Sequence, residues 1–132
     1  MSEYSFQKLV DLVAELRSEH GCPWDREQTF KSLIPSITEE VEEVVHAIEA
    51  DDMENLKEEL GDVLLNVLLQ AQIAKEAGLF EIKDVLAVVS EKIVRRHPHV
   101  FGDKKFETSA QVLEEWAKIK KSEKGGVLRI QY

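Results

Sequence analysis

The sequence predicts an all-α protein, an antiparallel helix bundle of about five helices. Apolar residues recur at helical spacing along nearly all of the 132 residues, and only three prolines and six glycines interrupt them. The connections between the predicted helices are short, which favours antiparallel neighbours. A chain of this length can bury a core without disulfides. We therefore expect one domain over residues 1–124 and a C-terminal tail at 125–132.

Apolar periodicity and capping residues define each helix in turn. The five predicted helices cover about residues 6–20, 29–50, 53–77, 82–96 and 108–125. Gly21 ends the first helix, and Pro35 is expected to bend or restart the second. Asp51 and Asp52 can cap the third helix. Residues 108–111 form a possible capping box for the fifth.

Charge and composition exclude several classes of function. The net charge of −9 argues against non-specific binding of nucleic acid. The apolar runs are too short to span a membrane, and we expect no leader sequence. Cys22 is the only cysteine, so no intramolecular disulfide can form and a reducing cytoplasm is the expected location.

Two pairs of acids dominate an acidic central region. The second helix carries Glu40-x-x-Glu43, and the third carries Glu59-x-x-Asp62. Residues three apart share one face of a helix, so each pair can direct both carboxylates at one place. Carboxylates gathered in this way need a cation, and ligation by oxygen alone suits Mg²⁺ or Mn²⁺. The acids of the second helix, taken alone, could equally well be surface residues that make a soluble, Glu-rich helix.

The third helix favours a functional site over a solvated face. Its polar residues form one narrow stripe of Glu59, Asp62, Asn66 and Gln70. The surrounding positions are apolar, which predicts a buried helix whose polar groups must be paired or used. A di-metal oxidase bundle is a weaker alternative, because Glu43-x-x-His46 is its single Glu-x-x-His motif where two are needed.

Basic and aromatic residues of the last two helices can serve a phosphorylated ligand. Lys92 and Arg96 lie four apart on the fourth helix, and Trp116 and Lys120 lie four apart on the fifth. The cations could hold phosphate oxygens, and Trp116 could stack on a base. Packing of Trp116 in the core explains that residue equally well.

Together these features resemble the MazG family of nucleotide pyrophosphohydrolases over about residues 6–121. The landmarks of the resemblance are Gly21-Cys22-Pro23-Trp24-Asp25, Glu39-Glu40-x-x-Glu43, Glu59-Leu60-Gly61-Asp62 and Arg95-Arg96-His97-Pro98-His99-Val100-Phe101. The resemblance implies a helical fold that forms a homodimer or a dimer of dimers. It also implies Mg²⁺-dependent hydrolysis of nucleoside triphosphates to monophosphate and pyrophosphate, a house-cleaning activity on the nucleotide pool.

The resemblance also assigns roles to individual residues. Its metal-binding acids correspond to Glu40, Glu43, Glu59 and Asp62, and its nucleotide contacts to Lys92, Arg96, Trp116 and Lys120. We further expect Asn66 to contact the nucleotide, and Glu39 to support the metal site or act as a base. Two alternatives stay open. One is a base-selective hydrolase for dUTP or dCTP, and the other is a non-catalytic dimerisation or regulatory module of a tandem protein.

Overall fold

The computed structural model describes residues 3–124, with side chains from 3 to 123. Its helices are α1 Phe6–Leu16, α2 Pro23–Glu27, a 3₁₀ turn at Lys31–Leu33, α3 Ile34–Glu49, α4 Met53–Glu76, α5 Ile82–Arg96, α6 Pro98–Phe101 and α7 Ser109–Lys124. No strand occurs in this range, so the all-α prediction is confirmed. The predicted tail at 125–132 lies outside the described residues. Two compact units divide between Val85 and Leu86.

The first helix is shorter than its apolar pattern predicts, because the chain closes tightly behind it. The backbone N–H of Cys22 donates to the carbonyl oxygen of Leu16 at 2.8 Å. A Cβ on Gly21 would lie 2.2 Å from that same oxygen, which no side chain tolerates. The helix therefore ends at Leu16, and only glycine fits the position where the chain passes over its end.

Prolines begin helices in this chain. Pro23 and Pro98 occupy the first positions of α2 and α6, two short helices within segments that the sequence analysis treated as breaks. Pro35 lies in the first turn of α3, so it starts that helix and does not bend it. A proline is favoured there because the first-turn N–H groups have no partner within the helix.

In the first unit, α3 and α4 form a helical hairpin. The N–H of Asp52 donates to the carbonyl of Ala47 at 3.0 Å, and Asp51 adopts a positive φ of 54° between the helices. The Asp52 carboxylate then accepts a hydrogen bond from the N–H of Asn55 at 3.1 Å, as the N-cap of α4. This short, capped turn directs α4 back along α3, and the two helices contact each other more extensively than any other pair of described elements.

The core of the first unit lies between α1, the 3₁₀ turn and α4. Its buried residues are Val13, Leu33, Leu68 and Leu69, with Leu9, Val10, Leu65, Ile73 and Ile82 packed against them. Leu68 is 2% exposed and Leu69 is 5% exposed, so these side chains belong to the core of the chain itself.

Arg17 joins three segments of the first unit. Its guanidinium forms a two-pronged ion pair with Glu76 at the end of α4, with N–O distances of 2.9 and 3.0 Å. It also donates to the backbone carbonyls of Asp25 and Gln28. The Arg17 side chain is only 6% exposed. It therefore fixes the α2 segment between α1 and α4.

The second unit contains most of α5, together with α6 and α7. The predicted capping box opens α7: Thr108 Oγ1 accepts from the N–H of Gln111, and Gln111 Oε1 accepts from the N–H of Thr108, both at 3.3 Å. No residue from 86 to 123 is fully buried. Within residues 3–124, no helix combines the length and apolar content that a membrane span requires.

Candidate functional site

The α3–α4 hairpin brings the four predicted metal-binding acids into one electrostatic environment. Partial burial raises the pKa of Glu40, and the negative charge of Asp62 raises it further. Partial burial also raises the pKa of Glu59, followed by the charges of Asp62 and Glu43. The charge of Asp62 thus makes ionisation of both Glu40 and Glu59 more difficult, as expected for acids that share a site.

The four acids Glu40, Glu43, Glu59 and Asp62 are called the acidic group below. Asn66 lies next to the acidic group and is the most deeply buried polar residue described. Its side chain is 2% exposed, and its Oδ1 accepts a hydrogen bond from Gln70 Nε2 at 3.3 Å. A side-chain hydrogen bond from Asn66 partly offsets the raised pKa of Glu40. The sequence assigned Asn66 to the nucleotide. In the structure its polar atoms contact Gln70 and Glu40, and its contact with nucleotide stays a prediction.

The chemistry of the acidic group fits a hard divalent cation. Glu40 Oε2 is buried without a hydrogen-bond partner among the described residues, an arrangement that costs free energy unless something binds it. Ligands that are all carboxylate oxygens suit Mg²⁺ or Mn²⁺. As the side chains stand, no three carboxyl, imidazole or thiol groups in the described part of the chain converge on one point. Mg²⁺ sites often use one or two carboxylates with water and phosphate oxygens as the remaining ligands, so three converged side chains are not required.

Two further residues of α3 lie at the margin of the acidic group. Glu39 is exposed, and its charge contributes to the raised pKa of Glu40. His46, the histidine of the Glu-x-x-His motif, is exposed in the last turn of α3.

Four of the five residues expected to contact nucleotide lie together in the second unit. They line one pocket of about 260 Å³, whose walls are Val89, Lys92, Ile93, Arg96, His97, Trp116 and Lys120. Three of these side chains carry positive charge, and the apolar ones come from a single face of α5. A small pocket with cations on an apolar wall is suited to a phosphorylated ligand.

Arg96 is held by α7 at both its backbone and its side chain. The indole Nε1 of Trp116 donates to the Arg96 carbonyl oxygen. The guanidinium of Arg96 donates to Glu123 Oε1 at 2.9 Å, and Arg95 pairs with the other oxygen of Glu123. Hydrogen bonds from Arg96 and then from Arg95 lower the pKa of Glu123 to about 2. Glu123 is consequently ionised throughout the physiological range.

Trp116 packs against a neighbouring ring and also lines the pocket of the second unit, so both interpretations of this residue stay open. Its ring meets His97 edge-on, with centroids 5.2 Å apart and planes at 78°, which is a packing contact. It also lines the cationic pocket, so it is available to a ligand there. The sequence analysis missed His97 and Glu123. Spacing alone could have indicated Glu123, which lies three residues after Lys120 and seven after Trp116 on α7.

Comparison with known proteins places the acidic group and part of the cationic pocket within a family signature. The model of the MazG nucleotide pyrophosphohydrolase domain matches residues 28–101, which include all four acids of the α3–α4 hairpin, Lys92 and Arg96. Trp116 and Lys120 lie beyond the matched range. The match covers more than half of the chain.

Curated relatives extend this similarity over most of the chain. It is 48% identical over 120 residues to the nucleoside triphosphate pyrophosphohydrolase/pyrophosphatase MazG of Thermotoga maritima, covering 91% of this chain and 46% of the relative. It is 46% identical over 118 residues to the nucleoside triphosphate pyrophosphohydrolase of Escherichia coli, covering 89% and 45%. It is 49% identical over 121 residues to the uncharacterized protein YabN of Bacillus subtilis, covering 92% and 25%. The chain thus spans between a quarter and a half of these relatives.

A solved structure agrees with this assignment. The crystal structure of a mazG-related protein from Thermotoga maritima superposes with a TM-score of 0.73 at 30% sequence identity, and the alignment covers 87% of this chain and 98% of that one. The helical fold, the domain match and the paired acids on α3 and α4 all lead to the same assignment. The chain belongs to the MazG nucleotide pyrophosphohydrolase family.

Proposed function

We propose that the chain hydrolyses nucleoside triphosphates to the monophosphate and pyrophosphate with Mg²⁺, or alternatively Mn²⁺, as a house-cleaning activity in the cytoplasm. The observation that carries the proposal is the group of four acids on α3 and α4, with an unpaired, buried oxygen on Glu40. The names of the relatives from Thermotoga maritima and Escherichia coli support the same reaction.

In this proposal the acids of the hairpin bind the cation. Glu40, Glu43, Glu59 and Asp62 supply the carboxylate oxygens. A bound Mg²⁺ supplies activation of the attacking water and neutralisation of charge on the leaving pyrophosphate. Gln70 donates a hydrogen bond to the side-chain oxygen of Asn66, which leaves the Asn66 amide group to donate to Glu40. Asn66 therefore fixes the direction of one metal ligand, the Glu40 carboxylate. Exposed Glu39, next to Glu40, is our candidate for receiving the proton of the water.

The cationic pocket of the second unit is assigned to the nucleotide. Lys92 and Lys120 are exposed and act as point charges for phosphate oxygens, and Arg96 offers a planar fork. The Trp116 ring offers an aromatic face for the base. Cations held in a fixed position stabilise charge as it shifts from the α-phosphorus to pyrophosphate, without reorganisation during the reaction.

The decisive experiment measures pyrophosphate release from eight nucleoside triphosphates, with and without Mg²⁺. Glu59→Gln keeps the size of the side chain but removes its charge, and we expect at least about a hundredfold loss of kcat from it. Glu54→Gln is the matched control, because Glu54 lies on α4 in an exposed pair with Lys57. If Glu59→Gln turned over nucleotide like the parent protein, the metal assignment would be wrong.

The same panel separates two alternative functions. A non-catalytic module is favoured by one observation, the lack of three converged metal-binding groups in residues 3–124 as the side chains stand. Folded, Mg²⁺-loaded protein that releases no pyrophosphate from any of the eight substrates supports that alternative. Turnover confined to dUTP or dCTP indicates a base-selective hydrolase, whereas turnover of most substrates supports the broad activity proposed.

We also propose that the chain forms a homodimer or a dimer of dimers through the outer face of the α3–α4 hairpin. Exposed apolar side chains form one stripe on each helix: Ile34, Val41, Val45 and Ile48 on α3, and Met53, Leu60 and Leu64 on α4. Such stripes are typical of surfaces that pack against a partner. Light scattering with size-exclusion chromatography should give a multiple of 15.1 kDa, and Val45→Glu should reduce it. Monomeric parent protein at micromolar concentration would contradict this.

A further inference from the structure

The face of α7 that carries two of the proposed nucleotide contacts also carries an acid. Trp116, Lys120 and Glu123 lie at spacings of four and three residues, so they share one face of the helix. Lys120 and Trp116 line the cationic pocket together with Arg96, whereas Glu123 is not part of its wall. A negative charge next to a phosphate pocket is unfavourable for an anionic ligand. Its presence therefore requires an explanation.

The contacts of Glu123 provide that explanation. Both carboxylate oxygens are engaged by arginines, Oε1 by Arg96 at 2.9 Å and Oε2 by Arg95, and the side chain is only 13% exposed. Glu123 therefore holds the Arg96 guanidinium from outside the pocket, and Arg96 itself forms part of the pocket wall. Its Nε is buried without a partner among the described residues, so the guanidinium retains donor capacity that Glu123 does not use.

From this geometry we propose that Glu123 is a positioning residue that orients the Arg96 guanidinium for the phosphate chain. The proposal rests on the function proposed above. Trp116 fixes the same residue from the other side, through its hydrogen bond to the Arg96 carbonyl. A long, flexible arginine held at both ends loses little conformational entropy when it binds phosphate, and this pre-organisation strengthens binding.

Two other roles for Glu123 predict different results: competition with phosphate for Arg96, and stabilisation of α7 alone. If the carboxylate competed with phosphate for Arg96, its removal would free the arginine and strengthen binding. If Glu123 only stabilised α7, its removal would lower the melting temperature and leave ligand binding unchanged. Positioning alone weakens ligand binding in a protein that stays folded. The direction of the change in affinity therefore separates the three roles.

The test compares Glu123→Gln with Glu115→Gln. Glu115 is the matched control because it lies on the same helix and pairs with Lys104, and it does not line the cationic pocket. Calorimetric titration of the folded, Mg²⁺-loaded protein with inorganic tripolyphosphate measures phosphate binding without a base and without turnover. We expect Glu123→Gln to raise the dissociation constant about tenfold, Glu123→Asp to restore part of the loss, and Glu115→Gln to leave it unchanged.

A double-mutant cycle shows whether Glu123 acts through Arg96. In an Arg96→Lys background, Glu123→Gln should change tripolyphosphate affinity by less than about twofold, because the planar fork that Glu123 orients is gone. Unchanged or tighter binding by Glu123→Gln overturns the positioning role, as does parent protein that binds no tripolyphosphate. Failure of the proposed function is distinguishable, because it appears as lack of pyrophosphate release from all eight nucleoside triphosphates by the parent.

Discussion

At the scale of single residues, repulsion among the carboxylates of the acidic group on α3 and α4 should lower the free energy of unfolding of the metal-free protein. The pKa of Glu40 is raised by burial and by the charge of Asp62. For a carboxyl whose pKa is higher in the folded state, the folded state binds more protons just above the ordinary pKa. Stability therefore falls as pH rises through that window, and the loss is complete at neutral pH.

Replacement of Glu40 by glutamine should therefore stabilise the protein in EDTA at pH 7. The amide removes the charge and can still accept the hydrogen bond from Asn66. We expect a rise in melting temperature of about 2 °C at pH 7 that disappears at about pH 3, well below the ordinary carboxyl pKa, where Glu40 is protonated in both states. Scanning calorimetry at the two pH values measures this.

Added Mg²⁺ gives the second half of this test. Mg²⁺ should raise the melting temperature of the parent protein by mass action and should raise that of Glu40→Gln much less. A Glu40→Gln protein that is less stable than the parent in EDTA at pH 7 would contradict the account of mutual repulsion. Exposed Glu54→Gln serves as the neutral reference on the same hairpin.

The sequence predicted some site residues better than others. The two pairs of acids are each separated by three positions within one helix: Glu40 and Glu43 on α3, and Glu59 and Asp62 on α4. That spacing alone determines that the members of a pair share one face of their helix. The burial of Asn66 also follows from its apolar neighbours along α4. The pairing of Arg96 with Glu123 joins residues 27 positions apart, and it depends on how α7 reaches the end of α5. No periodicity within one helix carries that information.

At the scale of helices and turns, two glycines should respond in opposite ways to alanine. At Gly21 a Cβ would meet the backbone carbonyls of Leu16 and Glu15 at 2.2 and 2.3 Å, so the turn must open. We expect Gly21→Ala to lower the free energy of unfolding by about 2–3 kcal/mol. Gly61 lies inside α4 with no atom within 4 Å of its Cβ position. Gly61→Ala should raise the same quantity by about 0.5–1 kcal/mol.

Urea denaturation of the two alanine variants compares them directly. Both substitutions add one methyl group. The difference between their effects on stability therefore reflects the space around the new Cβ atom and the backbone conformation at each position. A loss of stability from Gly61→Ala would mean that something absent from the single chain contacts that helix face. A Gly21→Ala protein as stable as the parent would show that α1 does not need the close passage of the chain.

The Arg17 contacts predict a large effect from one buried cation. Arg17→Met leaves two backbone carbonyls and Glu76 without their partner, and we expect a loss of about 2 kcal/mol, reduced by the partial exposure of Glu76. The hydrogen bond from Arg17 lowers the pKa of Glu76, so the contribution of the pair is present above the ordinary carboxyl pKa and is lost on acidification below it.

Urea denaturation of Arg17→Met at pH 7 and pH 3 measures both statements. The difference from the parent protein should be smaller at pH 3, because the contribution of the ion pair decreases as pH falls below the ordinary carboxyl pKa. Lys57→Met is the control, because Lys57 forms an exposed pair with Glu54 and should change stability by less than about 0.5 kcal/mol. An equal effect of the two substitutions would contradict the role of Arg17.

The long helices were predictable and the short ones were not. Helices of eleven or more residues carry enough apolar positions for their period to be recognised, as in α1, α4 and α5. Four or five residues, as in α2 and α6, show no period. Their prolines were interpreted as breaks, although a proline at the first position of a helix is favourable. The close passage at Gly21, which ends α1 early, is likewise a tertiary feature.

At the scale of the whole molecule, the two units are stabilised by different interactions. The first contains a buried apolar cluster that includes Val13, Leu33 and Leu68. The described part of the second, residues 86–123, contains no fully buried residue. Its main tertiary contacts are ion pairs of Glu123 and Glu115 and the aromatic contacts of His97. Electrostatic contacts near the surface are screened by salt, whereas apolar burial is not.

Salt should therefore loosen α7 more than α4. At 1 M NaCl the screening length is about 3 Å, and partly exposed ion pairs lose most of their attraction. Hydrogen–deuterium exchange with mass spectrometry should show peptides from residues 109–123 exchanging about threefold to tenfold faster in 1 M than in 0.05 M NaCl, with little change in peptides from α4. Lys104→Gln removes one of these pairs in advance, so the salt effect on α7 should be smaller in that variant. Equal salt sensitivity of α4 and α7 would show that the second unit is stabilised by apolar burial after all.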